Sequence, residues 1–111
     1  MTEKIISIKN LTKKYMHKNG YVEVLNNINF ELLENEIVSI IGPSGCGKST
    51  FLNVIGLLDS SYTGEYKLYG ETSNHFNNNK KNILRNTKIG FVHQFFHLIP
   101  ELTVWENVAL P

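Results

Sequence analysis

Alternation of apolar and polar positions near the start of the chain predicts β-strands. Alternating positions are apolar at residues 6 and 8 of the segment 6–10 and at residues 28, 30 and 32 of the segment 28–33, which is the pattern of a strand with one covered face. Residues 22–25 add a shorter stretch that also predicts a strand. A polar turn at Glu34 and Asn35 follows the last of these segments. Together they indicate antiparallel hairpins.

Two later segments carry nearly continuous apolar runs instead. Residues 36–41 hold one of these runs and residues 89–93 hold the other. Unbroken apolar character is typical of strands that are covered on both faces, as in parallel sheets packed beneath helices. Residues 65–69, between Gly64 and Gly70, predict one further strand. The chain is therefore expected to combine antiparallel hairpins with buried strands in an α/β fold.

Three helices are expected between and after these strands. Residues 48–58, directly after a glycine-rich turn, predict the first helix. The polar segment 72–82 predicts a surface loop that leads into a short helix at residues 80–86. Thr103 and Glu106 have the spacing of a capping box, which predicts a third helix beginning directly after Thr103.

Size and charge narrow the possible classes of protein. At 111 residues the chain forms one domain at most, and a net charge of +1 with 19% charged residues does not indicate nucleic acid binding. Lys13 with Lys14, and Lys80 with Lys81, are interpreted as solvated surface. No apolar run approaches the roughly 18 residues needed to cross a bilayer, and the N-terminus lacks a secretory apolar region. The single cysteine, Cys46, allows no internal disulfide, so a reducing, cytoplasmic location is expected.

A glycine-rich segment lies between the apolar run 36–41 and the helix predicted at 48–58. Its sequence, GPSGCGKST, matches the phosphate-binding pattern G-x-x-x-x-G-K-[ST] in the strand, loop and helix context that this motif requires. Glycines let the backbone turn successive N–H groups inward around an anion, and the following helix aims its unpaired N–H groups at the same place. The residues expected to bind a nucleotide here are Gly42, Pro43, Ser44, Gly45, Cys46, Gly47, Lys48, Ser49 and Thr50.

Three side chains of this loop have separate expected roles. Lys48 is expected to act as a mobile positive charge for the β- and γ-phosphates. The Ser49 hydroxyl is expected to ligate Mg²⁺, and the Thr50 hydroxyl can donate to a phosphate oxygen. The predicted ligand is therefore a magnesium nucleotide.

The loop, a predicted strand that ends at Gln94 and the segment 98–108 together indicate a family. The chain resembles the ATP-binding subunit of ABC transporters, and its segments 56–66 and 89–111 are most similar to the branch serving lipoprotein release, macrolide or peptide export and bacitracin-type resistance. The resemblance implies a P-loop NTPase core with an N-terminal antiparallel β subdomain, truncated before the helical subdomain is complete. Residues 1–111 are then expected to be the N-terminal portion of an ABC-type ATP-binding domain.

The resemblance also implies roles outside the loop. Tyr15 stands where the family has the aromatic residue that stacks on adenine, and Gln94 matches the glutamine that reaches Mg²⁺ or the attacking water. The implied catalytic residues are Lys48, Ser49 and Gln94, and the implied ligands of Mg²⁺ beside ATP are Ser49 and Gln94. The implied partners are a transmembrane permease and a second ATP-binding subunit in a head-to-tail dimer, with no nucleic acid. The implied location is the cytoplasmic face of the cell membrane, reached through the permease.

Other motifs of the family are not found in the chain. The sequence contains neither a Walker B strand ending in Asp then Glu, nor the LSGGQ signature, nor the H-loop histidine in its context. Asp59, the one aspartate, follows an apolar run, but that run continues the helix predicted at 48–58, so we reject it as a Walker B residue. We therefore expect a fragment or a truncated remnant that does not turn over ATP alone and that is marginally stable or prone to aggregation.

Three functional hypotheses follow. The leading one is an ATP-hydrolysing transport subunit that couples MgATP to export or membrane extraction of a substrate by its permease. The alternative is a truncated, non-catalytic nucleotide-binding module. A third, a small phosphotransferase, requires a lid arginine, for which Arg85 is the candidate, and an acceptor site that the sequence does not indicate.

Overall fold

An antiparallel sheet of four strands is the main element of the computed structural model, which describes residues 3–92 and 99–109. The first two strands form a long hairpin, and the third strand pairs with the other edge of the first. The sheet order is therefore second, first, third, fourth. The strands are β1 (Lys4–His17), β2 (Gly20–Leu33), β3 (Thr63–Leu68) and β4 (Glu71–Thr72).

Two asparagines place irregularities in the hairpin of β1 and β2. Asn10 (φ 55°) and Asn27 (φ 48°) adopt the left-handed backbone region, which asparagine enters more readily than most residues. Side chains on the opposite strand bind their N–H groups: Asn10 donates to Asn29 Oδ1 at 3.1 Å, and Asn27 donates to Thr12 Oγ1 at 3.1 Å. The pairing register shifts near these positions. The two short strands predicted for this part are therefore joined into one irregular strand, β2.

Helix α1 (Lys48–Ile55) follows the glycine-rich loop and ends before residue 58, where the sequence predicted its end. Two hydrogen bonds close it: Leu58 N–H donates to Asn53 O at 2.9 Å, and Leu57 N–H donates to Val54 O at 3.2 Å. Leu57 itself has a φ of 62°, although its side chain is buried in the core. This left-handed residue ends the helix, a role more often taken by glycine, so the sequence did not reveal it.

The core lies between α1 and the sheet. Phe51 of α1 packs edge-on against Phe30 of β2, with ring centroids 5.4 Å apart. The Tyr66 hydroxyl of β3 donates to Ile55 O at 2.6 Å. Burial, and to a lesser extent the neighbouring Tyr62, raise the pKa of Tyr66 well above its usual value. The buried apolar residues are Ile6, Ile8, Leu11, Leu25, Phe51, Val54, Leu57, Tyr66, Leu68 and Phe76.

Residues 36–41 do not form the buried strand that their apolar run predicts. None of the described residues pairs with them as a strand, and Ile37 and Ile41 are 96% and 92% exposed. Within the described part of the chain, residues 89–92 do not form the second predicted buried strand either, and Val92 is almost fully exposed. A strand requires a neighbour that takes up its hydrogen bonds. An apolar run predicts burial but does not supply that neighbour.

Helix α2 (Asn78–Thr87) begins earlier than the helix predicted at residues 80–86. Asn77 caps it, because the Asn77 side chain accepts the N–H of Lys80 at 2.8 Å. The asparagines assigned to a surface loop therefore belong to the cap and first turn of α2. A 3₁₀ turn, Ser73–His75, connects β4 to this helix.

Helix α3 (Val104–Ala109) begins directly after Thr103, as predicted. Glu106 N–H donates to Thr103 Oγ1 at 3.1 Å, and Thr103 N–H donates to Glu106 Oε1 at 3.1 Å, so the predicted capping box is confirmed. The backbone N–H of Thr103 first, and its hydroxyl second, lower the pKa of the Glu106 carboxyl. Among residues 3–92 and 99–109, no helix has both the length and the apolar character needed to cross a bilayer.

Candidate functional site

The glycine-rich loop that precedes α1 packs closely against β2. Gly45 has a φ of 81° and Gly47 a φ of 104°, in a region that residues with side chains rarely adopt. A Cβ at Gly47 would lie 2.9 Å from Val24 O and 3.2 Å from Leu25 Cδ2. Glycine at position 47 therefore lets the loop approach β2 and places the start of α1 beside this strand.

Helix α1 presents an open N-terminus at the end of the loop. Its N-cap is Gly47, which has no side chain to accept a hydrogen bond. Within the described part of the chain, the N–H groups of Lys48, Ser49 and Thr50 have no acceptor, and the first bond of the helix joins Phe51 N–H to Gly47 O at 2.9 Å. Three unpaired N–H groups and the positive end of the helix dipole point the same way. This arrangement favours an anion.

The Lys48 side chain folds back across the loop. Its ammonium group donates to Gly42 O and to Pro43 O, the second at 3.0 Å. Cys46 N–H donates to the same Pro43 oxygen at 3.3 Å, so the ammonium lies against a closed turn. Hydrogen bonds to charged oxygens are stronger than those to neutral carbonyl oxygens. Lys48 can therefore exchange these partners for phosphate oxygens.

The functional groups of the loop suit a chain of phosphates. Residues 42–50 contain no acidic side chain; they offer backbone N–H groups, one ammonium and the hydroxyls of Ser44, Ser49 and Thr50. Such a set of donors is complementary to a highly charged anion. The Ser49 hydroxyl is exposed and available to a cation that the phosphates carry. Among the described residues, no cluster of three or more His, Cys, Asp or Glu side chains could hold a metal ion.

Tyr15 lies on β1 in the part of the sheet that the loop contacts. It pairs with Val22 of β2, and Val24, two residues further along β2, has the atom that a Cβ at Gly47 would approach most closely. Two residues of a strand span roughly 7 Å. Tyr15 is 42% exposed as a residue, and an aromatic ring is a group on which a planar ligand can stack. The structure thus brings Tyr15 to the neighbourhood of the phosphate loop.

The prediction that Lys13 is solvated surface is wrong. Lys13 is 4% exposed, its Nζ lies 3.0 Å from an Asp59 carboxylate oxygen, and it donates to Ser61 O at 2.6 Å. The alternation of faces along a strand could have shown this, because Lys13 shares one face of β1 with the buried Leu11 and with Tyr15.

Asp59 lies after the end of α1 and not in a strand, so its rejection as a Walker B residue is confirmed.

The structure places Arg85 away from the phosphate loop. Arg85 of α2 donates to Leu57 O at 2.7 Å, which places it beyond the C-terminal end of α1. The phosphate loop lies at the other end of this helix, about 12 Å away along its axis. Arg85 is therefore not positioned as a lid residue of a phosphotransferase.

Gln94 lies outside the described residues, so its implied role stays a prediction.

A sequence model described as ABC transporter matches residues 25–110. The chain belongs to the ABC transporter family. The match covers the whole phosphate loop, helix α1 and the whole of α3, and it begins after Tyr15. The family resemblance of the loop is therefore part of a match that covers most of the chain.

Curated members of the family are similar over nearly the whole chain. The chain is 41% identical to the lipoprotein-releasing system ATP-binding protein LolD of Blochmanniella floridana, over 96% of this chain and 46% of that protein. It is 41% identical to LolD of Francisella tularensis, over 100% of this chain and 48% of that protein. It is 46% identical to the ABC transporter ATP-binding protein MJ0796 of Methanocaldococcus jannaschii, over 96% of this chain and 46% of that protein. The chain thus spans about half the length of the curated relatives it matches.

Solved structures of MJ0796 share the fold. A dimeric structure of this bacterial ABC transporter cassette matches with a TM-score of 0.89 and 46% identity, over 95% of this chain and 45% of that chain. A second, a dimeric post-hydrolysis state bound to ADP and Pi, matches with a TM-score of 0.87 and 45% identity, over 93% of this chain and 44% of that chain. The predicted fold class, a P-loop NTPase core with an N-terminal antiparallel sheet, is confirmed by this likeness.

Proposed function

We propose that this chain belongs to an ATP-binding component of an ABC transporter, which binds MgATP and couples its hydrolysis to export or membrane extraction of a substrate. The observation that carries the proposal is the open N-terminus of α1 beside a loop crossed by the Lys48 ammonium. Residues 1–111 then form the N-terminal portion of a nucleotide-binding domain. The likeness to proteins named for lipoprotein release favours a substrate that is taken from a membrane.

In this proposal, different residues bind the phosphates, the Mg²⁺ ion and the adenine base. The N–H groups at the start of α1 and the Lys48 ammonium hold phosphate oxygens, and Lys48 stabilises charge that develops on the γ-phosphate. Ser49 supplies a hydroxyl ligand to Mg²⁺, which when bound neutralises charge between the β- and γ-phosphates. Tyr15 offers its exposed ring surface to adenine. We assign Gln94 the role of a second metal ligand that orients the attacking water.

The partners proposed are a transmembrane permease and a second ATP-binding subunit. The relative MJ0796 forms a dimer, which supports a dimer of the protein that contains this chain. In a head-to-tail arrangement, each nucleotide contacts the phosphate loop of one copy and the signature segment of the other. The permease holds the pair at the cytoplasmic face of the membrane.

A nucleotide-binding module without turnover is the second candidate, for the 111-residue chain by itself. Hydrolysis requires groups that orient water and hold the metal ion. The loop 42–50 has no acidic side chain, and Asp59 is engaged with Lys13 and Ser61. These observations favour binding over hydrolysis when no other chain or segment contributes to the site.

The proposal is tested by replacing Lys48 in the full-length natural protein. Lys48→Ala removes a charged donor to the phosphates, and such hydrogen bonds contribute about 1.5–3 kcal/mol, so MgATP affinity should fall about 10- to 150-fold. Isothermal titration calorimetry with MgATP measures the affinity, and phosphate release measures turnover.

The matched control is Lys4→Ala, which removes an exposed lysine of β1 that pairs with Glu31 of β2 at 3.0 Å and lies outside the phosphate loop. It should leave MgATP affinity within a factor of two, since exposed pairs contribute little. Equal affinities of the wild type and Lys48→Ala would overturn the proposal. Binding lost in Lys48→Ala, with no phosphate release by the wild type, would favour the module without turnover.

A further inference from the structure

Lys13 is a buried lysine whose ammonium group contacts a carboxylate, a carbonyl oxygen and an aromatic ring. Its Nζ lies 3.1 Å from Asp59 Oδ1 and 3.0 Å from Asp59 Oδ2. It donates to Ser61 O at 2.6 Å. The Nζ atom also lies over the Tyr15 ring, 4.9 Å from the ring centroid. An ammonium has three donors and no acceptor, so this set of contacts satisfies it and fixes its position.

These contacts join β1 to the segment that follows α1. Asp59 Oδ1 also accepts Ser61 N–H at 2.9 Å, so the segment has a turn of its own that holds the carboxylate in place. The Lys13 side chain spans from β1 to this turn while its backbone stays in the strand. The Lys13 side chain is therefore held by β1 at its backbone and by Asp59 and Ser61 at the ammonium group that lies against Tyr15.

A fixed cation on one face changes what the other face of an aromatic ring can bind. The cation is attracted to the ring face and holds the ring against rotation out of the strand plane. It also draws π-electron density toward itself, which reduces the repulsion between the ring and a second π-system stacked on the opposite side. Tyr15 as a whole residue is 42% exposed, so the rest of the described chain does not enclose it.

We propose that Lys13, anchored by Asp59, is a positioning residue that holds the Tyr15 ring in the orientation for stacking on the purine base of the bound nucleotide. This rests on the proposed function, since it deepens the role given there to Tyr15. Lys13 touches neither phosphate nor metal in this scheme. Its effect is confined to recognition of the base.

The test compares a ligand that has a base with one that has none. In the full-length natural protein, dissociation constants are measured for MgATP and for magnesium tripolyphosphate in wild type and in Lys13→Met, which keeps a long apolar side chain without the charge. The expected result is a three- to tenfold loss of affinity for MgATP, the range for one aromatic stacking contact, with tripolyphosphate within twofold of wild type. Lys14→Met is the matched control, because Lys14 is exposed and pairs with Glu23 at 3.5 Å; it should change neither constant.

The outcomes separate this inference from the proposed function. An equal loss of affinity for MgATP and for tripolyphosphate in Lys13→Met would overturn the positioning role, because a residue that only supports the fold affects binding with and without the base alike. Unchanged affinity for both ligands would overturn it as well. If Lys13→Met does not fold, Asp59→Asn gives the same readout, since it keeps an oxygen acceptor for Ser61 N–H but removes the anchoring charge. Tyr15→Ala tests the underlying assignment: an unchanged preference for MgATP over tripolyphosphate there would overturn base stacking by Tyr15, and the positioning role with it.

Discussion

At the scale of single residues, Gly47 meets two requirements at once. Its φ of 104° lies in the left-handed region, and a Cβ there would meet Val24 O at 2.9 Å. Gly45 shares only the first requirement, because its φ is 81° but a Cβ there would meet nothing within 4 Å. Comparing alanine substitutions at the two glycines therefore distinguishes the free-energy cost of backbone strain from that of a steric clash.

Gly47→Ala should destabilise the protein more than Gly45→Ala. A left-handed alanine costs about 1–2 kcal/mol, which both variants share. The overlap with the backbone of β2 adds about 1–3 kcal/mol in Gly47→Ala alone. Urea unfolding of the full-length natural protein measures both free energies. Equal losses of unfolding free energy in the two variants would show that β2 moves to accommodate the methyl group added at position 47.

At the scale of elements, α3 shows how a cap responds to pH. The Glu106 carboxylate accepts the Thr103 N–H, and this contact lowers the Glu106 pKa in the folded protein. A carboxyl whose pKa is lowered on folding stabilises the folded state above its ordinary pKa, and this contribution is lost as the pH falls through the folded value. The first turn of α3 is therefore expected to loosen in acid and to be intact at neutral pH.

Thr103→Ala should raise the Glu106 pKa part of the way toward its ordinary value, because it removes the Thr103 hydroxyl and keeps the backbone N–H, which is the larger cause. An NMR titration that follows the Glu106 side-chain carboxyl carbon measures the change. Thr87→Ala, at the end of α2, is the control and should leave the Glu106 titration as it is in the wild type. A Glu106 pKa that does not move in Thr103→Ala would contradict a contribution of the Thr103 hydroxyl to the lowered pKa.

At the scale of the whole molecule, apolar side chains are distributed unevenly over the surface. Ile37 and Ile41 are almost fully exposed in a segment that lies outside the helices and strands and has no strand neighbour among the described residues. Met16 and Tyr21 are also exposed, but they face each other at the tip of a paired hairpin. Extended apolar segments with unpaired backbone promote association between chains, whereas isolated side chains at a turn do so much less.

Replacing Ile37 and Ile41 by lysine should therefore keep the 111-residue chain monomeric to a higher concentration, by at least about twofold, because charge blocks edge-to-edge pairing. The double change Met16→Lys with Tyr21→Lys should have little effect. Sedimentation velocity over a concentration series measures the monomer fraction of each variant. A wild-type chain that stays monomeric and unfolds sharply and reversibly on heating would refute the expected aggregation.

Much of the local structure was predictable because neighbouring residues decide it. The glycine pattern before Lys48 specified a turn followed by a helix, and the spacing of Thr103 and Glu106 specified the start of α3. Apolar alternation located the strands, although not their lengths. The family followed from the same segments, and the match over residues 25–110 confirmed it.

The tertiary structure alone decided features that depend on partners far along the chain. The burial of Lys13 requires a carboxylate at Asp59, 46 positions later. Helix α1 ends where Leu57 turns its side chain into a core that the sheet supplies. Residues 36–41 have the apolar pattern of a buried strand, yet a strand is completed by its neighbours and not by its own side chains. The sequence by itself determined the phosphate loop and its helix, because they need only adjacent residues; the setting of Tyr15 beside a fixed cation came from tertiary packing.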